Sequence, residues 1–132
     1  MPPTGRSIRQ IGLPVRDLDR ALDFYRDVLG LRFVERFGPL AFFDLDGIRL
    51  MLEEGESDEA PVASVLYLGS DDIAGDRSDL IARGVEFADE PHCIFVDAHG
   101  VFGHRGDEEW LTFFTDPDGN VLALSSRRTP EA

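Results

Sequence analysis

One strand, turn and strand segment constrains the fold most, because the chain carries a second copy of it. Residues 112–124 read TFFTDPDGNVLAL, with apolar strands on both sides of the turn DPDG at 116–119. Asp at the first turn position caps the backbone, Pro presets φ at the second, and Gly closes the turn. Residues 42–52, FFDLDGIRLML, align with 114–124 at a constant offset of 72. One hairpin used twice predicts a repeated unit.

The first half of the chain is predicted to be a βαβββ unit. Residues 8–15 alternate as a strand, and Pro14, which has no N–H, places that strand at a sheet edge or near its own end. Asp17 is the predicted N-cap of an amphipathic helix, and Gly30 ends it. Three further strands are predicted at 31–37, 40–44 and 48–54.

The pattern restarts after an acidic linker predicted at 55–62. A strand at 63–69, a cap at Asp71 or Asp72, a helix at 73–83 and a strand at 85–88 follow at an offset of 54. The later hairpin lies at an offset of 72, so 72 − 54 = 18 extra residues fall between positions 88 and 113. This excursion is predicted to hold an extended strand and a loop, and a loop of that length in a small repeat is often functional.

The two modules, 8–54 and 63–126, are expected to form a single α+β domain over residues 1–132. They are pseudo-symmetric, with curled mixed sheets around a shared cavity and one helix behind each sheet. Alternation along the strands assigns one face to the helix: Ile11, Leu13, Val15, Ile48, Leu50, Leu52, Val65, Leu122 and Leu124. The other face is assigned to the cavity: Gln10, Gly12, Arg49, Met51, Glu53, Ser64, Leu66, Leu68, Val121, Ala123 and Ser125.

Composition narrows the classes of partner. The chain has 13 basic and 26 acidic residues and a formal net charge of −13, which argues against nucleic acid and anionic membranes and favours cations. The single cysteine, Cys93, cannot form an internal disulfide, and no apolar run suits a signal peptide or a membrane span. We therefore expect a cytoplasmic protein.

Two stretches carry a resemblance to a known family. Residues 11–31, IGLPVRDLDRALDFYRDVLGL, and 113–124, FFTDPDGNVLAL, resemble the signature stretches of the vicinal oxygen chelate superfamily. That superfamily includes glyoxalase I, bleomycin resistance proteins and extradiol dioxygenases. The resemblance covers 8–126 and implies the glyoxalase/bleomycin resistance fold. It also implies a homodimer, but it does not select one function, because one scaffold there hosts isomerases, oxygenases, transferases and binders.

The resemblance also implies where a metal would be held. Metal-dependent members place a ligand, usually His, Gln or Glu, on the first and last strand of each half. Carried over, these positions are Gln10, Met51, Ser64 and Ala123. Only Gln10 can ligate a hard or borderline cation, because a thioether, a neutral hydroxyl and a methyl group do not replace carboxylates or imidazoles. We therefore predict no metal and no cofactor.

Other side chains are candidates for the cavity. Trp110 and Phe114 share a strand face and would supply flat apolar walls if that face lines the cavity. The alternative for Trp110 is core packing or a subunit contact. Glu53 lies on the face of Met51, with Arg49 as its possible partner, and is either a functional carboxylate or a solvated strand end. The predicted ligand-binding cavity comprises Gln10, Met51, Glu53, Ser64, His92, Trp110, Phe114 and Ala123.

The excursion contains all three histidines and the cysteine. His92, His99 and His104 could join Glu53 or Glu108 in a displaced metal site. The simpler interpretation makes His92 a hydrogen-bonding residue of the cavity wall or the start of a strand, and the other two loop residues. Cys93 is expected to be a buried apolar residue.

Three functions remain open from the sequence. The first is a metal-independent binding protein, similar to the bleomycin resistance class, that sequesters an amphipathic or cationic small molecule. The alternative is a glyoxalase-like lyase, isomerase or dioxygenase that recruits a metal through Gln10, His92 and acidic neighbours. The third is a cofactor-free enzyme that uses Glu53 or His92 as a general base on a carbonyl compound.

Overall fold

A computed structural model of the chain describes residues 8–55 and 65–130. Two compact units divide them: the first holds 8–55 with Pro117–Gly119, and the second holds 65–116 and 120–130. Each unit has one mixed sheet of four strands and the element order βαβββ, which confirms the predicted fold class. Most of the predicted linker, from 56 on, lies outside the described residues. Within the described ranges, no helix is both long and apolar enough to cross a membrane.

In the first unit the chain forms a sheet covered by one helix. Its elements are β1 (Gln10–Val15), α1 (Leu18–Leu22) continuing as a π-helical turn (Asp23–Val28), β2 (Arg32–Phe37), β3 (Leu40–Leu45) and β4 (Ile48–Glu54). The strand order is β1-β4-β3-β2, with β1 parallel to β4 and the other pairs antiparallel. The strand that contains Pro14 therefore lies at the edge, as its missing N–H predicted.

The core of the first unit lies between α1 and one face of the sheet. Leu50 and Leu52 of β4 are fully buried, and Phe43 of β3 pairs with Leu50 in register. Tyr25, also fully buried, brings its ring within 6.2 Å of the Phe43 ring. Burial of side chains of this size contributes roughly 1.5–3 kcal/mol each, so this helix-covered face fixes the orientation of every strand in the sheet.

The second unit repeats the arrangement with a longer last hairpin. Its elements are β5 (Leu66–Gly69), α2 (Ile73–Ala82), β6 (His92–Asp97), β7 (Asp107–Thr115) and β8 (Val121–Arg128), in the order β5-β8-β7-β6. The excursion thus supplies β6 and a loop, as predicted. Arg77 of α2 lies over the Phe87 ring at 5.2 Å, and that ring packs on Phe114 at 5.0 Å. The helix therefore covers the Phe114 face of this sheet.

The strand predicted at 85–88 is wrong. Phe87 makes only an isolated bridge to Phe114. The reason lies at the next position in the chain: the carboxylate of Asp89 accepts the Phe113 N–H at 3.0 Å and the Thr112 hydroxyl at 2.9 Å. The Asp89 side chain therefore occupies the Phe113 N–H that a longer backbone ladder would use, so residues 85–88 do not form a strand on β7.

The two helices differ in length by one residue. Asp72 caps α2, at an offset of 55 from Asp17, whereas Gly84 follows Gly30 at 54. The first helix absorbs the extra residue in its π-helical turn, where the Leu29 N–H donates to the Phe24 carbonyl at 2.8 Å. A π turn accommodates one inserted residue. The sequence indicated a uniform offset of 54 between the two modules. The structure shows an offset of 55 at the start of the helices, so that prediction is wrong there, and an offset of 54 from the end of the helices onward.

The same one-residue difference inverts the predicted faces of β5. Leu66 pairs with Leu122 and Leu68 with Leu124, so these leucines share the helix-covered face. Their predicted place beside Ala123 is wrong, because the partner of Ala123 is Tyr67. Val65, one residue before Leu66, moves to the opposite face by the same alternation.

Candidate functional site

The candidate site lies on the face of the first sheet that α1 does not cover, here called the open face. Residues opposite one another in register place Gln10 beside Arg49, Gly12 beside Met51, and Met51 beside Phe42. A Cβ at Gly12 would lie 3.5 Å from the Met51 methyl carbon, which is an ordinary contact distance, so Met51 packs directly against this position. Gln10 and Met51, both predicted to face the cavity, do share one face.

Arg49 is held in place on the open face by two neighbours. Its Nε donates to Gln10 Oε1 at 2.8 Å, and its guanidinium carbon lies 5.6 Å from the centroid of the Phe42 ring. Stacking over an aromatic face and a fixed Nε orient the planar fork of donors. The predicted pairing of Arg49 with Glu53 is wrong, because Gln10 is the partner.

A pocket of about 330 Å³ opens beside this arginine. Its walls are the side chains of Val34, Phe37, Leu40, Phe42 and Arg49. Val34 and Phe37 are 55% and 62% exposed, and the rings of Phe37 and Phe42 lie 5.9 Å apart. A volume of this size suits a small ligand, and one cationic group in an apolar wall suits an amphipathic one.

The four positions at which metal-dependent relatives keep their ligands do not form a donor set in this chain. The Gln10 carbonyl oxygen already accepts from Arg49, and its Nε2 lies 3.7 Å from the Met51 sulfur. Ser64 lies outside the described residues, and the register of β5 makes Val65 the counterpart of Gln10. Ala123 is fully buried and offers a methyl group. These side chains do not fit a divalent cation.

No other metal site takes the place of these positions in the described part of the chain. No three side chains of His, Cys, Asp or Glu cluster there closely enough to hold an ion. His92 starts β6, where its Nδ1 lies 3.0 Å from the Glu90 carbonyl oxygen and 3.6 Å from the Asp89 carboxylate. Its contacts are with neighbours in sequence rather than with a metal-binding cluster.

Trp110 and Phe114 lie on the opposite face from Ala123, so their predicted place beside it in one cavity wall is wrong. The partner of Ala123 on β7 is Phe113, whereas Phe114 pairs with Leu122. Phe114 is 1% exposed and belongs to the core under α2. Trp110 donates from Nε1 to Glu108 at 3.0 Å and stacks under Arg128, whose guanidinium carbon is 3.8 Å from the ring centroid.

The open side of the second sheet is apolar and aromatic near its short strand. Tyr67 is 58% exposed and its ring lies 6.5 Å from that of Phe113. A second pocket, of about 310 Å³, lies at the end of this sheet where Phe87 packs on Phe114, and it is lined by Glu86, Phe87, Ala88, Phe113, Phe114, Thr115 and Val121. Its polar lining groups are the Glu86 carboxylate and the Thr115 hydroxyl, so it lacks the cationic group that the pocket beside Arg49 has.

Two further predictions concern exposed residues. Glu53 is exposed on β4 opposite Leu40, while its neighbour Glu54 accepts the Leu18 N–H at 2.7 Å and so caps α1. Cys93 is exposed on β6, so its predicted burial is wrong. The edge position of β6 explains this, because a strand with one neighbour leaves side chains near the edge uncovered.

The second unit contains a charge cluster, centred on Arg127, that the sequence analysis did not predict. Arg127 donates to Asp97 at 2.7 Å, to Asp107 at 2.9 Å and to Glu109 at 2.6 Å. Hydrogen bonds to Asp97 first, then Glu109, raise the pKa of Arg127. The hydrogen bond from Arg127 lowers the pKa of Asp97, and one from the Thr129 hydroxyl, with Arg127, lowers the pKa of Asp107. Pairing residues outward from the DPDG turn would have placed Glu109 opposite Arg127.

The repeated turn carries an ion pair as well as its backbone role. Asp116 Oδ1 accepts the Asn120 N–H at 2.8 Å, and Gly119 has φ 89°, a left-handed conformation that glycine adopts without strain. Asp118, whose side chain is fully buried, accepts from Arg20 at 2.7 Å. The turn was predicted, but its partner on α1 was not.

Comparison with known proteins gives a family match. The family model of the Glyoxalase/Bleomycin resistance protein/Dioxygenase superfamily matches residues 7–124. The Bacillus subtilis (strain 168) protein named Uncharacterized protein YwbC is 28% identical over 122 residues, 83% of this chain and 97% of that protein.

Solved structures agree in fold. A glyoxalase/bleomycin resistance protein/dioxygenase from Alicyclobacillus acidocaldarius has a TM-score of 0.70 at 22% identity and covers 93% of this chain, and 92% of that chain is covered. A lactoylglutathione lyase from Agrobacterium tumefaciens has a TM-score of 0.68 at 24% identity, with 95% of each chain covered. Likeness at these identities concerns the fold and leaves the chemistry to the side chains.

Proposed function

The chain belongs to the Glyoxalase/Bleomycin resistance protein/Dioxygenase superfamily, and on that premise we propose that it is a metal-independent member that binds a small amphipathic molecule. The observation that supports this most is the pairing of Gln10 with Arg49. The Gln10 side-chain oxygen, which could otherwise ligate a metal, accepts a hydrogen bond from the Arg49 Nε at 2.8 Å. A divalent ion beside that guanidinium would meet a like charge.

The pocket beside Arg49 supports the binding role. Four of its five lining residues are apolar, and two of those are aromatic, so it can remove the apolar part of a ligand from water. Burying apolar area is worth about 25 cal/mol per Å², which favours a compact hydrophobic body over a sugar-like one. The proposal includes no chemical step, because no general base faces this pocket among its lining residues.

Metal analysis tests the first half of the proposal. Protein purified without chelator is expected to carry no stoichiometric Zn, Ni, Fe or Mn by elemental analysis, and added metal is expected to leave its melting temperature unchanged. The Gln10→Ala variant should behave identically in both measurements. One equivalent of metal in the wild type, lost in Gln10→Ala or in His92→Ala, would instead support a glyoxalase-like enzyme with a non-standard site.

Ligand titration tests the second half. A neutral probe, 4-phenylbutanamide, is expected to bind chelator-treated protein and to shift the backbone NMR signals of Leu40 and Phe42. Phe37→Ala removes an exposed wall of the pocket with little risk to folding and should weaken that binding several-fold. Ile81→Ala, an exposed apolar residue on α2, is the matched control and should leave binding unchanged. Absence of binding by the wild type contradicts the proposal.

We also propose that two copies of the chain pair. The supporting feature is the outer strand β6, which forms an edge of the described sheet and exposes Ile94, Phe95 and Val96 by 53%, 42% and 51%. Phe102, in the following loop, is 71% exposed and its ring lies 6.2 Å from that of Phe95. An exposed apolar edge is a ready surface for a second strand.

A further inference from the structure

Resting on the proposed function, we propose that the pocket beside Arg49 selects ligands in which an apolar body carries a carboxylate, and that Arg49 receives that carboxylate. The sequence predicted an amphipathic or cationic ligand, and the cationic alternative rested on the net charge and on Glu53. The geometry of Arg49 points to the opposite sign at the place where the ligand's head group would lie.

The donor fork of Arg49 is oriented and available. Its Nε is fixed by Gln10 and its plane lies against Phe42, which holds the group without using its ends. Within the described residues, the two terminal nitrogens donate no hydrogen bond and join no ion pair. A guanidinium held in this way binds a planar carboxylate through two parallel N–H donors, and little side-chain freedom is lost on binding.

The acidic residues on the same face have other partners or lie at a distance. Glu35, opposite Phe42 on β2, accepts the Arg36 N–H at 3.1 Å. Asp44 lies opposite Arg49 in register, but its carboxylate accepts the Gly47 N–H at 2.9 Å and lies 3.8 Å from Arg32. Glu53 stands four residues further along β4, about 13 Å away at the rise of a strand. That separation exceeds the Debye length of about 8 Å at physiological salt, so the attraction between the two groups is screened.

The charge of the pocket indicates a monoanion. Arg49 is the single charged group among the five lining residues, and one guanidinium balances one carboxylate. A dianionic phosphate would need further donors or a second cation. The net charge of −13 acts at longer range and is screened by salt, whereas a hydrogen-bonded pair partly enclosed by the pocket is screened much less.

A matched set of probes tests the head group separately from the pocket. The set is 4-phenylbutanoate, 4-phenylbutanamide and 4-phenylbutylamine, titrated by calorimetry at pH 7.5 as a chosen working condition. The carboxylate is expected to bind about tenfold tighter than the amide, because a hydrogen bond between two charged groups is stronger than one to a neutral amide. The amine is expected to bind more weakly than the amide.

Two variants decide between outcomes. Arg49→Gln should lower carboxylate affinity to that of the amide while amide affinity holds. Arg26→Gln makes the same charge change on the helix, where Arg26 pairs with Asp27, and should keep the preference. Equal affinity for all three probes, or a preference that survives Arg49→Gln, overturns the carboxylate proposal and leaves small-molecule binding standing. Failure of every probe to bind overturns both.

Discussion

At the scale of single residues, Arg127 neutralises a group of carboxylates in the second sheet. It meets three carboxylates, and the side chains of Asp97 and Asp107 are only 1% and 5% exposed. Asp97 also accepts the backbone N–H groups of Val101 and Phe102, so the same cluster holds the loop after β6. Removal of the arginine would leave buried negative charges facing one another.

Arg127→Met is therefore expected to lower the urea midpoint of unfolding at neutral pH. The pKa values of Asp97 and Asp107 are lowered in the folded state, so their contribution is present above the unfolded value of about 3.9 and is lost as pH falls through the folded pKa. In the variant the part of that depression due to Arg127 is lost, while the hydrogen bonds from Thr129, Val101 and Phe102 remain, so the midpoint difference from wild type should shrink below about pH 4. Arg105→Met, in the adjacent loop, is the control. A difference that stays constant with pH contradicts the role of the cluster.

Single residues show why the site was only partly predictable. The prediction that Ala123 and Met51 are not metal ligands needed only the chemistry of each side chain, so it did not depend on the fold. Trp110 and Phe114 were not, since the face of a strand residue depends on register, and a shift of one position moves every side chain to the other face. Arg49 was placed on the right face, but its partner depended on a pairing between β1 and β4 that no local pattern encodes.

At the scale of elements, the start of α2 gives the sharpest test. The sequence left Asp71 and Asp72 as alternative caps, and Asp72 accepts the Gly75 N–H at 3.0 Å. Asp72→Ala is expected to cost about 1 kcal/mol in the free energy of unfolding, and Asp71→Ala within error of zero. Chemical denaturation of the two variants checks this directly. A larger loss from Asp71→Ala would show that the cap has been assigned to the wrong residue.

The start of α1 should respond less to the same change. Asp17 accepts the Arg20 N–H at 3.2 Å, and Glu54 from the end of β4 accepts the Leu18 N–H at 2.7 Å. With two acceptors at one terminus, Asp17→Ala is expected to cost less than the roughly 1 kcal/mol of Asp72→Ala. Denaturation of Asp17→Ala, Glu54→Gln and the double variant measures both contributions. A loss from Asp17→Ala that equals that of Asp72→Ala argues against a shared cap.

Elements were predictable where local chemistry determines them. Caps, turn residues and alternation located both helices and most strands, because each acts within a few residues. The π-helical turn was missed, since an inserted residue leaves the apolar spacing of α1 nearly unchanged. The strand at 85–88 failed because the Asp89 side chain, rather than backbone, occupies the Phe113 donor, a contact between residues 24 positions apart.

For the whole molecule, the two signature stretches sufficed to predict the family and the fold, whereas composition describes only the average charge of the chain. The net charge of −13 is an average over the whole chain. The charge at the candidate site comes from one oriented arginine, Arg49, in an apolar pocket. Within the pocket, the nearby charge of Arg49 acts on a ligand more strongly than the net charge of the chain, which salt screens. The same average charge has its own consequence for assembly.

Pairing of two chains should depend on salt. Each copy carries −13, so self-repulsion opposes association at low ionic strength, while the apolar β6 edge favours it. Light scattering is expected to give twice the chain mass at 150 mM salt, a chosen condition, and a smaller dimer fraction at 10 mM. Ile94→Lys, on the exposed edge strand, should give monomer at both. Ile81→Lys, equally apolar and exposed on α2, is the matched control. A dimer that persists in Ile94→Lys would place the interface elsewhere.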